Sequence, residues 1–213
     1  NHVWTDHTLK WLDPAVGIGN FPIIVYLKLM EGLKSWEKDE EKRRKHIIEK
    51  MLYMVEISKK SILILNKVFC GGKYKLNIFP KSFFDYKETG FDIIMGNPPF
   101  QTRDNGRKLI LWKHFVTKSI GIFLQENGYL LFVHPNGWRN SAGRYKKVFT
   151  EIQKRNLISL TMRSYKVGLK MFGGSATNYD YYCLQNKFTN TNKTKINDFD
   201  RITSLIDLNS FEF

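Results

Sequence analysis

The segment Asn97-Pro98-Pro99-Phe100 combines groups that suit chemistry on an exocyclic amine. It directly follows an apolar run, residues 91–96, that is typical of a buried strand. The amide oxygen of Asn97 and the carbonyl of Pro98 can each accept one N–H of such an amine, and Phe100 can stack on the ring that carries it. The two prolines make the backbone stiff. Taken alone, the four residues are also compatible with a proline-rich turn that places Phe100 in the core.

A second segment, Asp13-Pro-Ala-Val-Gly-Ile-Gly-Asn-Phe21, has the pattern of a strand, a glycine-rich turn and a helix. Gly17 and Gly19 would let the backbone approach a ligand closely, and Asp13 can accept hydrogen bonds from a ligand ammonium group. The run Leu52-Tyr-Met-Val-Glu56 is another strand that ends in an acid, which is the usual position of a ribose-hydroxyl acceptor. These two segments predict a site for a nucleoside-containing cofactor.

Alternation of strands and helices along the chain predicts a mostly parallel sheet with helices on both faces. In such sheets ligands bind beyond the carboxyl ends of the strands, so Asp13, Glu56 and Asn97 are expected to share one cleft. Strands are expected near 9–13, 52–56, 74–79, 91–96, 129–134, 157–163 and 179–186. Helices are expected near 20–34, 38–50, 59–70, 108–125 and 142–155.

The positive charge is concentrated after the Asn97 segment. Residues 101–172 contain 14 basic and 3 acidic residues, which is +11 of the net charge of +14. A basic excess beside a base-binding segment suits a phosphate backbone, and Arg103, Arg107, Arg139 and Arg144 are the predicted contacts. The charged run at residues 37–45 is nearly neutral and predicts a solvated helix with i,i+4 pairs.

Composition restricts the class of protein further. A chain of 213 residues with 42% hydrophobic residues is large enough for a substantial core. It lacks an apolar run of the roughly 20 residues that a membrane span needs, so no membrane partner is expected. Two cysteines indicate a reducing compartment, and hence a cytoplasmic location, or the host cell or virion for a viral protein. The histidines and cysteines show no metal-ligand spacing, so no metal is expected.

These motifs, in this order, resemble those of the DNA adenine-N6 methyltransferases that use S-adenosylmethionine (AdoMet), especially the restriction–modification type methylases of bacteria and giant DNA viruses. The resemblance also covers Gly128-Tyr-Leu-Leu-Phe-Val-His-Pro-Asn-Gly-Trp138, residues 166–172 and residues 179–184. It implies a Rossmann-like α/β methyltransferase with a mostly parallel seven-stranded sheet and an antiparallel last strand. The implied reaction is methyl transfer from AdoMet to the N6 amine of an adenine flipped out of the duplex.

The resemblance assigns roles to individual residues. It implies that the cofactor is bound by Asp13, Pro14, Ala15, Gly17, Gly19, Phe21, Glu56, Ile57, Asp85 and Asn97. It implies that Asn97, Pro98, Pro99 and Phe100 form the catalytic segment. Phe100 and Phe172 would contact the target base.

The chain departs from the family pattern in two places. Lys81-Ser82-Phe83 stands where the family carries an acid that binds the cofactor adenine, and Asp85 is the nearest substitute. The amino-terminal motif that closes over the cofactor is missing or truncated, since only residues 1–8 precede the first strand. Residues 1–188 are therefore predicted to be the catalytic domain, and 189–213 a linker with the start of a truncated downstream region. The expected partners are DNA, a nuclease or specificity subunit, and a downstream target-recognition domain.

Two alternatives remain open at this point. Asn-Pro-Pro-aromatic segments also occur in enzymes that methylate protein glutamine or RNA amines. A catalytically inactive, methylase-derived DNA-binding or structural subunit is the second alternative, supported by Lys81-Ser82-Phe83 and opposed by the intact Asn97 segment.

Overall fold

The structure is a computed structural model. It describes residues 2–70, 72–104, 106–172, 177–191, 193–198 and 201–207. The chain forms two compact units, Asn1–Gly96 and Asn97–Phe213.

The first unit alternates strands with helices. Its elements are β1 (Trp11–Asp13), α1 (Asn20–Gly32), α2 (Glu40–His46), β2 (Leu52–Val55), α3 (Lys59–Val68), β3 (Asn77–Phe79) and β4 (Phe91–Gly96). Short helical turns lie at His2–Trp4, Ile47–Met51 and Phe83–Asp85. The four strands form a parallel sheet in the order β4-β1-β2-β3.

Burial and strand pairing place β1 inside the parallel sheet of the first unit, next to β4. All three residues of β1 are buried, and β1 pairs with β2 on one side and β4 on the other. Strands buried on both faces need nearly continuous apolar runs, as residues 91–96 provide. Two of the three helices start at side chains that accept backbone N–H groups, since Asp39 caps α2 and Ser58 caps α3.

The second unit begins with a hairpin and continues as a mixed sheet. Its elements are β5 (Gln101–Asp104), β6 (Arg107–Ile110), α4 (Trp112–Lys118), β7 (Leu124–Pro135), α5 (Lys146–Gln153), β8 (Arg155–Arg163), α6 (Tyr165–Phe172), β9 (Tyr179–Phe188), β10 (Lys193–Asp198) and β11 (Arg201–Asp207). Strands β5 and β6 form the antiparallel hairpin. Strand β9 runs antiparallel to β7 and β8, β10 runs parallel to β8, and β11 runs antiparallel to β10.

All seven predicted strands form, and the antiparallel direction of β9 is confirmed. The helix expected at 108–125 is wrong at its start, because residues 107–110 pair with β5 across a turn where Gly106 has φ +77°. Residues 193–198, expected in a linker, form β10 instead, with Thr194 and Ile196 buried. Whether a separate downstream region follows residue 188 stays a prediction.

In the described part of the chain, none of the helices has the length and apolar character that crossing a membrane requires.

Candidate active site

Asp13 lies at the carboxyl end of β1 and is almost completely buried. Its Oδ1 accepts a hydrogen bond from the Ala15 backbone N–H at 3.1 Å, and no other described group donates to this carboxylate. Burial raises the pKa of Asp13 to about 7, and the charge of Glu56 adds to the shift. A carboxylate in this environment is poorly compensated, so a cationic ligand group would stabilise its ionised form.

Gly96, the last residue of β4, lies against the same carboxylate. A Cβ atom at position 96 would be 2.8 Å from Asp13 Oδ1 and 3.5 Å from Pro14 Cδ. Real Cβ atoms essentially never show contacts below 3.0 Å. The close approach of β4 to the end of β1 therefore requires glycine at this position.

The glycine-rich turn after β1 is fixed by Glu56. The Gly17 backbone N–H donates to Glu56 Oε2 at 2.8 Å, and the Ser58 backbone N–H donates to Oε1 at 2.7 Å. Each carboxylate oxygen has a second lone pair, so Glu56 can still accept hydroxyl groups. Gly17 has φ +56°, and a Cβ there would meet open space, as expected for backbone that faces a ligand.

Gly19 has a different role. It precedes α1 with φ +98°, and a Cβ there would be 2.9 Å from Leu65 Cδ2 of α3. Glycine at 19 thus serves both the turn and the packing of α3. The apolar side chains of Phe21 and Ile57 are 38% and 71% exposed, so both are accessible to a ligand.

Asp85 lies in the helical turn Phe83–Asp85, which Ser82 caps by accepting the Phe84 backbone N–H. Its side chain is exposed, and no described group bonds its carboxylate. Among the described residues, no hydrogen bond joins Asp85 to Asp13 or Glu56, so its cofactor role stays a prediction.

The predicted catalytic segment begins at Asn97, directly after β4. Asn97 is partly buried, and its Oδ1 atom is buried without a hydrogen-bond partner among the described residues. Pro98 is buried, Pro99 is exposed, and Phe100 is partly buried. A buried acceptor with no donor is costly, by about 1–3 kcal/mol, and its presence points to a ligand donor.

The predicted phosphate contacts separate into two groups. Arg103 and Arg107 of the β5–β6 hairpin are exposed, as is Arg144 in the helical turn Gly143–Tyr145. Arg139 differs, because its Nε lies 3.2 Å from Asp180 Oδ2 and its Nη1 donates to Met162 Sδ. The Arg139 side chain is only 16% exposed, so this placement does not favour the phosphate contact predicted for it.

Sequence reasoning missed the buried polar cluster that holds Arg139. Asp180 of β9 is fully buried and also accepts the Trp138 indole N–H at 2.8 Å. Burial raises the pKa of Asp180 to about 7, while Arg139 opposes that rise. The cluster ties the helical turn Asn136–Arg139, which follows β7, to β9. The acidic residue Asp180, between tyrosines in a predicted strand, was the available signal.

His134 is a packing residue. Its ring stacks on Trp112 with centroids 4.3 Å apart, and Nε2 lies 3.0 Å from the Tyr182 hydroxyl. Burial lowers the pKa of His134 to about 4, so it is neutral near pH 7. Phe172 ends α6, but its side chain lies outside the described residues, and its contact with the base stays a prediction.

The fold and the strand-end acids define the class of the protein. A solved structure of a putative class I S-adenosylmethionine-dependent methyltransferase from Listeria monocytogenes is similar to this chain with a TM-score of 0.60. The two are 13% identical, and the match covers 96% of this chain and 61% of that one. The fold is therefore that of the class I AdoMet-dependent methyltransferases, as expected from the sequence.

Within that class, the chain belongs to the Eco57I restriction-modification methylase family, whose sequence model matches residues 23–172. An uncharacterized adenine-specific methylase of Mycoplasma pneumoniae is 36% identical over 67 residues, which is 32% of this chain. Modification methylase CviBIII of Paramecium bursaria Chlorella virus NC1A is 29% identical over 122 residues, which is 53% of this chain. The matches span 16% and 30% of these two relatives, so the chain corresponds to a minor part of their length.

Proposed function

We propose that this chain is the catalytic core of a DNA methyltransferase that transfers a methyl group from AdoMet to the N6 amine of a flipped-out adenine. The observation that carries the proposal is the buried, unpaired Oδ1 of Asn97. This atom lies in the segment Asn97-Pro98-Pro99-Phe100, whose residue types can bind an exocyclic amine. Family membership supports a restriction–modification setting.

The residues at the strand ends of the first unit fit AdoMet. The buried, poorly compensated carboxylate of Asp13 suits its ammonium group, and the open backbone at Gly17 leaves room beside it. Glu56, held by two backbone N–H groups, suits the ribose hydroxyls. Pro14, Ala15, Gly19, Phe21, Ile57 and Asp85 complete the proposed cofactor set, with Phe21 and Ile57 as apolar cover.

When bound, AdoMet supplies a methyl group that its sulfonium has already activated, so no covalent enzyme intermediate is needed. The protein acts on the amine. Hydrogen bonds from the two amine N–H groups to Asn97 Oδ1 and the Pro98 carbonyl favour a more tetrahedral nitrogen, which increases electron density on it. Pro99 keeps the segment stiff. Phe100, and by resemblance Phe172, would stack against the ring and orient it.

The amine is inaccessible inside a duplex, so the adenine must leave the base stack. The exposed cations Arg103, Arg107 and Arg144 are proposed to contact the flanking phosphates. Sequence specificity would come from a downstream target-recognition domain or a specificity subunit. A nuclease partner and a cytoplasmic, host-cell or virion location are further proposals.

A transfer assay on the full-length protein tests this function. Tritiated AdoMet is offered with DNA, RNA or protein as acceptor, and incorporated label is counted for wild type and Asn97→Ala. We expect label in DNA alone and at least a 100-fold loss in Asn97→Ala. Label in RNA or protein would support one of the other amino methyltransferases. No label in any acceptor would support an inactive DNA-binding or structural subunit.

A further inference from the structure

The β5–β6 hairpin places two cations directly opposite each other. Arg103 of β5 is the register partner of Lys108 of β6, and both side chains are exposed. In a hairpin, opposed residues and residues two apart share a face, so Gln101 and Ile110 lie on this face as well. None of the side chains that the structure describes forms an ion pair with Arg103 or Lys108.

This arrangement is unfavourable for the hairpin alone. Like charges directly opposite each other destabilise an antiparallel pair, and a two-stranded hairpin is only marginally stable in water. An anion laid across the face would relieve the repulsion. The opposite face carries the register partners Thr102 and Leu109 and the exposed Arg107, so Arg103 and Lys108 are the paired cations of one face.

The hairpin is also attached to the catalytic segment. Strand β5 starts at the residue after Phe100, and the Leu111 backbone N–H donates to the Phe100 carbonyl at 3.2 Å. That bond closes the base of the hairpin at the residue proposed to stack on the target adenine. An open pocket of about 560 Å³ lies along the hairpin and is lined by Gln101, Thr102, Arg103, Gly106 and Lys108.

We infer that the hairpin is a phosphate clamp for duplex DNA, in which Arg103 and Lys108 together hold the backbone beside the extruded base. The inference rests on the proposed function and adds Lys108 and a defined face of the ribbon to it. A two-stranded ribbon fits the dimensions of a DNA groove. Cations on one face neutralise neighbouring phosphates without reading the sequence.

The test compares full-length wild type with Arg103→Gln/Lys108→Gln and with Lys108→Glu. Fluorescein-labelled duplex DNA is titrated at several KCl concentrations, and thermal midpoints are recorded. The double variant is expected to bind about tenfold more weakly and to lower the slope of log K against log salt by about 1.8, which corresponds to two phosphates. Lys108→Glu should bind more weakly yet unfold at a higher temperature, because it places a carboxylate opposite Arg103.

The matched control is Lys42→Gln/Lys45→Gln in α2, which removes the same charge from exposed positions elsewhere. It should leave the salt slope close to that of wild type. Equal losses in the control and hairpin variants would overturn the clamp in favour of general charge, and an unchanged slope in the hairpin variants would overturn it outright. If either of these results is obtained and wild type still methylates DNA, the proposed function stands and the clamp alone fails. If wild type methylates RNA or protein instead, the proposed function itself fails.

Discussion

Gly96 approaches Asp13 so closely that a Cβ atom at position 96 would be 2.8 Å from the Asp13 Oδ1 atom. The last residue of β4 is thus in contact with the acid proposed to bind the cofactor ammonium. One peptide bond farther along the chain is Asn97, the proposed amine acceptor. A change at Gly96 should therefore affect cofactor binding as well as stability.

Replacing Gly96 with alanine is expected to displace the Asp13 carboxylate. The added methyl group has no room, and overpacking of this kind typically costs about 1–3 kcal/mol of unfolding free energy. AdoMet affinity, measured by calorimetry, should fall at least tenfold. Gly121→Ala is the matched control, since a Cβ there meets nothing within 4 Å. Equal AdoMet affinity in Gly96→Ala and wild type would show that Asp13 does not hold the cofactor.

AdoMet binding should depend on pH through Asp13. Burial raises the pKa of Asp13 to about 7 in the free protein, so the carboxyl is mostly protonated below that pH. The ionised form is the one that binds an ammonium group. Affinity is therefore expected to rise by up to about tenfold per pH unit up to pH 7 and then to level off.

The raised pKa of Asp13 changes the stability of the free protein in the opposite direction to AdoMet affinity. Because the folded state holds the Asp13 proton more tightly than the unfolded chain does, stability should decrease as pH rises from about 4 to about 7. Asp13→Asn should remove the part of this decrease in stability that Asp13 causes. It should also make AdoMet affinity low and independent of pH. A wild-type affinity that does not change between pH 5.5 and 8 would contradict this role of Asp13.

Removal of the Asn97 side chain should abolish methyl transfer without lowering the stability of the protein. Its Oδ1 is buried without a partner, and deleting an unpaired acceptor removes a desolvation penalty. We expect Asn97→Ala to unfold at the wild-type midpoint or above it in urea while methyl transfer is lost. Asn66→Ala is the comparison, since the Asn66 amide donates to the Ile62 carbonyl. A marked loss of stability in Asn97→Ala would indicate a structural role instead.

The sequence predicted the strands of the first unit better than it predicted the elements of the basic segment. Strands β1, β2 and β4 were predictable because their apolar runs are continuous and end in acids or glycine. Strands β5 and β6 were missed, because a four-residue exposed strand has no apolar pattern to reveal it. The role of Arg139 depends on Asp180, 41 positions later in the chain, and pairing between β7 and β9 brings that region together. A contact between distant residues leaves no local signal.

Arg139 provides a test of that structural role. Removing one partner of a buried ion pair leaves the other uncompensated, so Arg139→Ala should lower the unfolding free energy by about 3–5 kcal/mol. The salt slope of DNA binding should stay unchanged at a temperature where the variant is folded. Arg144→Ala, at an exposed position, should lower the salt slope of DNA binding and leave the unfolding free energy unchanged. A shallower slope with unchanged stability in Arg139→Ala would restore Arg139 as a phosphate contact.

We propose that the amine held by Asn97 and Pro98 is the N6 amine of adenine. DNA is incubated with the full-length protein and AdoMet, digested to nucleosides and analysed by mass spectrometry. We expect N6-methyladenine as the product with wild type and none with Asn97→Ala. A methylated cytosine, or unmodified DNA from a protein that binds AdoMet, would contradict it.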